Sequence, residues 1–287
     1  MDGTCCSLKK QMNKTPSLLN FYMIIIIQEI TLILGALLSA YIDAKTGYIY
    51  DWITYPMIAL GIILAVISSS YFNLASAAVI FIVLLIAYKF GKIGGGDVKL
   101  FTAIALLNPF NEIYFLTTLF FIATLSAMVF YSIYYFIKYA KIGINWEREK
   151  NNTYNAIFKG LAILAYFFIL VQYEVVNILF LFFVGLPLLI GLVFVALQKG
   201  IKLEFFEEKI KTKDLEDDEI LGENNSEKIK KMFKGKVLIG EKEIKLLNKN
   251  KIKSIFVLRN LPKFGPFIFV GTIFAIYLPN FLIILLL

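Results

Sequence analysis

The chain of 287 residues contains no histidine. That absence removes Ser-His-Asp and Cys-His nucleophile systems and histidine-rich zinc sites. Cysteine is almost as scarce: Cys5 and Cys6 are the only two, and they are adjacent. Adjacent cysteines form neither a CxxC pair nor a disulfide framework, so they point to no metal or redox site. Charged residues make up only 17% of the chain. Any hydrolytic chemistry here must rest on carboxylates, a Ser/Lys pair or a carboxylate-bound metal.

What is present is apolar. The chain is 59% hydrophobic, with a mean hydropathy of +0.74, far above the apolar share of a soluble domain. The expected fold class is an all-α polytopic membrane protein with six to eight transmembrane helices and a small cytoplasmic α/β insertion before the last helix. Runs of spanning length cover 20–42, 52–69, 74–91, 113–137, 156–172, 175–197 and 264–287. A shorter apolar piece, 98–108, ends at the turn Asn108-Pro109-Phe110-Asn111. At about 1.5 Å per residue it covers only about 16 Å, so it crosses only from a recessed start or through a thinned bilayer.

Counted as a span, 98–108 gives eight crossings and places loops 43–51, 89–99, 138–159 and 198–263 on one side. Those loops carry 26 of the 29 Lys and Arg residues, whereas 70–73, 109–112 and 173–174 carry none. The positive-inside rule assigns the basic loops to the cytoplasm. Residues 1–22 disagree, because Lys9, Lys10 and Lys14 would lie outside. The apolar run opens at Met23, so 1–22 is expected to be an upstream mis-start or an external tail.

Four segments result: the tail 1–22, a transmembrane catalytic domain 23–197, a cytoplasmic soluble domain 198–262 and a last transmembrane helix 263–287. Within 198–262, Lys236–Ile239 and Lys242–Leu246 flank Gly240-Glu241 and predict a hairpin; Ile255–Leu258 predicts a further strand. Asp214–Glu219 and Glu223–Ser226 read as polar loops. The acidic group Asp214, Glu216, Asp217 and Asp218 lacks the ligand alternation and glycine of a calcium loop. Seventeen basic residues fall in 198–263, but 12 Asp and Glu dilute them, and no nucleic-acid partner is expected.

One motif stands apart. Gly94-Gly95-Gly96-Asp97 is wedged between the apolar runs 74–90 and 98–107. A carboxylate at the edge of hydrocarbon is costly to keep and marks function by default. Asp43 ends the first apolar run, and two intervening spans return the chain to the same face. Two carboxylates brought close there cannot both ionise easily and share a proton, which is the minimum equipment of an aspartyl protease. The glycines Gly94, Gly95 and Gly96 permit unusual backbone angles and a close substrate approach. Asp51 is read as an N-cap, or alternatively as a binder of a basic substrate residue. Lys99 is read as an inside anchor, or as a charge acting on a neighbouring carboxylate. Glu29, inside the first run, snorkels or relays protons. No metal or cofactor is expected.

Gly94-Gly95-Gly96-Asp97-Val98-Lys99-Leu100 resembles the GxGD-x-K-L element of the type IV prepilin peptidase family. Asp43 with Thr46-Gly47-Tyr48-Ile49-Tyr50-Asp51-Trp52-Ile53-Thr54 resembles that family's first aspartate segment, typically D-x-x-x-G-x-I-P-D-W-L-T, with Tyr50 in the place of proline. Pro262–Gly271 is similar to the last helix of the archaeal branch, the preflagellin and prepilin peptidases. The resemblance implies an archaeal, multi-pass membrane aspartyl endopeptidase with Asp43 and Asp97 catalytic. It would remove a short basic leader from preflagellin- or prepilin-like precursors at the cytoplasmic face, in contact with lipid. The 156–197 hairpin and the 198–262 segment depart from the family pattern. The CxxC segment of bacterial members is absent, so methylation is not implied. Two alternatives share features: a presenilin- or signal-peptide-peptidase-like protease, whose Tyr-Asp and Pro-Ala-Leu arrangement is missing, and a cation-coupled transporter, whose internal repeat is missing.

Overall fold

The computed structural model describes residues 18–216, 219–233, 236–250 and 252–286. Residues 1–17 of the expected tail, and Asp217 and Asp218 of the acidic run, lie outside the described residues. The helices are α1 (Leu18–Thr46), α2 (Asp51–Ile67), α3 (Tyr71–Lys89), α4 (Gly95–Leu106), α5 (Ile113–Ile142) and α6 (Trp146–Gln172). Helix α7 covers Ile178–Ala196 and includes a π-turn at Leu181–Gly185. Among the described residues five helices, α1, α3, α5, α6 and α7, are long and apolar enough to cross a membrane, and α2 is a shorter apolar helix. The protein is a predominantly helical polytopic membrane protein.

The core is built round two short helices. Helix α4 packs between α2 and α3, and every residue from Leu100 to Leu107 is buried. Its 12 residues cover about 18 Å at 1.5 Å per residue, too little to cross alone. Backbone that stops inside a membrane is tolerated where protein satisfies it. Here the buried Asn73 amide donates to the Asn108 carbonyl at 2.8 Å and to the Leu106 carbonyl at 3.4 Å. Asn108 in turn donates to the Glu112 carbonyl at 2.8 Å. Small residues let the helices close: a Cβ on Gly61 of α2 would lie 2.7 Å from the Leu106 Cβ.

The expected single run 264–287 is two helices. Pro279 lies between them, and Thr118 of α5 donates to its carbonyl at 2.7 Å. Helix α6 begins ten residues before its apolar run, because Asn145 caps it by accepting from the Arg148 amide at 3.2 Å.

Between α7 and the last helices the chain passes through α8 (Gln198–Ile201) and builds β1 (Glu207–Lys211), β2 (Glu219–Leu221), α9 (Glu227–Met232), β3 (Leu238–Ile239), α10 (Glu241–Lys249) and β4 (Ser254–Leu258). The sheet order is β1-β4-β2-β3, with every pairing antiparallel. The strand expected at 255–258 is present as β4, whose Ile255 and Val257 face the core. The expected hairpin about Gly240 is not. Leu238–Ile239 is a strand, but Lys242–Leu246 is helical, because Glu243 reaches back to the Gly240 amide at 3.2 Å and starts α10 there. Leu247 then buries against Phe233 and Ile239. The last two helices are α11 (Gly265–Tyr277) and α12 (Phe281–Leu286). Helix α11 packs against α1 and α5, and a Cβ on its Gly271 would lie 2.6 Å from the Leu119 carbonyl oxygen.

Candidate active site

Helix α1 is stopped by its own sequence. The Thr46 hydroxyl donates to the Ile42 carbonyl at 2.9 Å. Gly47 takes a left-handed φ of +78° and donates to the Asp43 carbonyl at 2.8 Å, the usual way a glycine ends a helix. Asp43 therefore sits in the last turn, 5% exposed and facing inward. The chain then runs through Tyr48–Tyr50 into α2.

Asp97 is the third residue of α4. It is half-buried, and the Gly94 amide faces its carboxylate. The charge of Asp43 lies within electrostatic reach of it. The end of α1 and the start of α4 thus place the two carboxylates within electrostatic reach of each other, at the end of the bundle that carries the basic loops.

The three glycines have separate surroundings. Gly94 is exposed, and a Cβ there would lie 3.0 Å from Asp97 Oδ2. A Cβ on Gly95 would meet the Tyr88 ring at 3.4 Å. A Cβ on Gly96 would lie 2.8 Å from the Ile49 Cβ and 2.9 Å from the Ile49 carbonyl oxygen. Among the described residues the glycines with positive φ are Gly47, Gly91 and Gly143, so Gly94–Gly96 use ordinary backbone angles. Gly96 is needed for the space that Ile49, in the segment between α1 and α2, occupies, which changes the conformational reason expected from sequence.

Asp51 is the first residue of α2 and makes no cap bond; Tyr50 occupies the cap position. Its carboxylate pairs instead with Lys99 on α4, whose ammonium also lies 5.0 Å from the Tyr55 ring centre. Asp51 and Lys99, 48 positions apart in the sequence, thus neutralise each other. Glu29 is half-buried, towards the other end of α1.

Three participants were not visible as such. The Gly265 amide donates to Asp43 Oδ2 at 2.7 Å. Lys263 Nζ donates to the Ala44 carbonyl at 2.7 Å. The Tyr131 hydroxyl donates to the Lys263 carbonyl at 2.6 Å. The one signal was Gly265-Pro266, a pair suited to a helix start.

Residues 30–136 match the family model described as the type IV leader peptidase family. The matched stretch contains Asp43, Asp51, Gly94–Gly96, Asp97 and Lys99. The match covers 107 of the 287 residues and lends support to the resemblance to the prepilin and preflagellin peptidase family. No curated protein and no solved structure matches the chain.

Proposed function

We propose that this protein is a membrane aspartyl endopeptidase that removes the short basic leader from preflagellin- or prepilin-like precursors at the cytoplasmic membrane face. Asp43 and Asp97 carry the reaction as one unit. One carboxylate takes a proton from water as the water attacks the scissile carbonyl. The other donates a proton to the developing oxyanion, and the amine leaves with a proton returned by the pair. The two share their protons, so neither is assigned a single role. The precursor's apolar helix stays in the bilayer beside α1 and α4, and its basic leader lies in water among the basic loops.

The observation that supports this reading most is that Asp43, at the end of α1, and Asp97, at the start of α4, lie within electrostatic reach of each other. Lysine and arginine enriched at that end support a cytoplasmic site by the positive-inside rule. The test is cleavage of preflagellin- and prepilin-type precursors in membranes, with the new N-terminus mapped by mass spectrometry. Release of the basic leader, lost in Asp43→Asn and in Asp97→Asn at unchanged protein level, is the expected result. Cleavage inside the apolar helix, or activity retained by either variant, contradicts the proposal.

A further inference from the structure

We infer that the segment Lys263–Gly265, at the start of the short helix α11, is a third wall of the active site that holds Asp43 in its working orientation, with Tyr131 as its anchor. The inference rests on the dyad reading above, and its two positioning residues, Lys263 and Gly265, lie beyond the stretch 30–136 that the family model matches.

The geometry is a clamp made of three contacts. First, the Gly265 amide donates to Asp43 Oδ2 at 2.7 Å. A buried carboxylate needs donors, and a free amide at a helix start is well placed to give one. Second, Lys263 Nζ donates to the carbonyls of Ala44, at 2.7 Å, and Lys45, at 3.4 Å. These belong to the last turn of α1, where carbonyls lack partners within the helix and a cation is favoured. The ammonium is thereby fixed beside Asp43, whose carboxylate feels its charge. Third, Tyr131 on α5 donates to the Lys263 carbonyl at 2.6 Å, which ties the segment to a long spanning helix.

Position 265 also leaves no room for a side chain. A Cβ there would lie 2.9 Å from both Asp43 Cβ and Oδ2 and 3.2 Å from its Cγ. The amide can approach the carboxylate only because the residue is glycine. Lys263 and Gly265 are positioning residues: they act on the reaction through Asp43.

The test uses the full chain in membranes, with kcat and KM for precursor cleavage measured per folded molecule. Gly265→Ala displaces the Asp43 carboxylate and is expected to lower kcat by about 10²-fold, the cost of a misplacement of about 1 Å. Lys263→Met is expected to lower kcat by roughly tenfold, with KM changed by less than about twofold, because ground-state binding of the precursor does not use it. Lys263→Arg, which keeps a cationic donor, should recover most of that loss, and Tyr131→Phe should fall between Lys263→Arg and Lys263→Met. A role in packing alone would lower the amount of folded protein and leave kcat per folded molecule unchanged; that result in Gly265→Ala and Lys263→Met overturns the clamp. Failure of Lys263→Arg to improve on Lys263→Met overturns it as well. Asp43→Asn and Asp97→Asn, assayed alongside, separate the two claims. If they are inactive while the clamp variants cleave normally, the dyad stands without the clamp. If they are active, the dyad reading falls and the clamp falls with it.

Discussion

Gly96→Ala adds one carbon at the most confined point of the site. The added Cβ would lie 2.8 Å from the Ile49 Cβ, 2.9 Å from the Ile49 carbonyl oxygen and 3.4 Å from its Cα. Non-bonded carbons settle at about 3.5–4.0 Å, so the two segments must part by roughly 0.7 Å or more. Two of the three opposing atoms are backbone and cannot rotate away. Ile49 lies between Asp43 and Asp51, and Gly96 adjoins Asp97, so the separation is imposed on the carboxylates themselves. Overpacking of this kind costs about 1–3 kcal/mol of stability. A misplacement approaching 1 Å costs on the order of 10²-fold in rate. Gly96→Ala should therefore lose about 10- to 10²-fold in cleavage per folded molecule, and Gly96→Val more. The assay is single-turnover cleavage in membranes, normalised to folded protein by thermal unfolding of the same sample. Wild-type specific activity in Gly96→Ala would refute the argument that the Gly96–Ile49 contact sets the spacing of the dyad.

The Asp51–Lys99 pair is partly exposed, with side chains 50% and 30% accessible, so Asp51→Asn should cost no more than about 1 kcal/mol of stability; thermal unfolding checks this, and a much larger loss would show a structural linchpin. Because Lys99 already neutralises Asp51, the same variant should leave KM for a lysine leader within about twofold of wild type, and a large rise in KM would make Asp51 the leader-binding site. Translation starting at Met23 should preserve activity and topology, as measured by cleavage and by site-specific labelling of the loops; lost activity at normal protein level would make 1–22 a working part. Glu149 is fully buried and accepts from the Gly200 amide at 2.6 Å and the Tyr139 hydroxyl at 3.4 Å, with Arg148 Nε 3.5 Å away. Glu149→Ala should destabilise by about 3–5 kcal/mol, since it leaves buried donors without an acceptor, and Glu149→Gln should recover part of this; equal unfolding temperatures for wild type and Glu149→Ala would contradict it.

Much of the helical frame was legible because a bilayer imposes long apolar runs. Asp43 and Asp97 stood out because carboxylates beside such runs are costly. What was not legible depended on partners distant in the chain. The hydrogen bond between Asp43 and Gly265 spans 222 positions, and nothing local to either residue announces it. The pairing of Asp51 with Lys99 spans 48 positions and displaced the local expectation of a cap. Position 240 was misread because glycine between two short apolar stretches signals a turn. The competing signal was Glu243 three residues on, which starts a helix, with Leu247 buried on its inner face. Pro279 was visible, but a long apolar run hid the break it makes.

The central claim, that Asp43 and Asp97 work as one acid–base unit, is tested most directly by a double-mutant cycle. Single-turnover cleavage of a leader-bearing precursor is measured for Asp43→Asn, Asp97→Asn and the double variant, each at matched amounts of folded protein. Residues acting as a unit are strongly non-additive in rate. The prediction is that each single variant is as inactive as the double. Measurable cleavage by either single variant, with losses that multiply in the double, would contradict it.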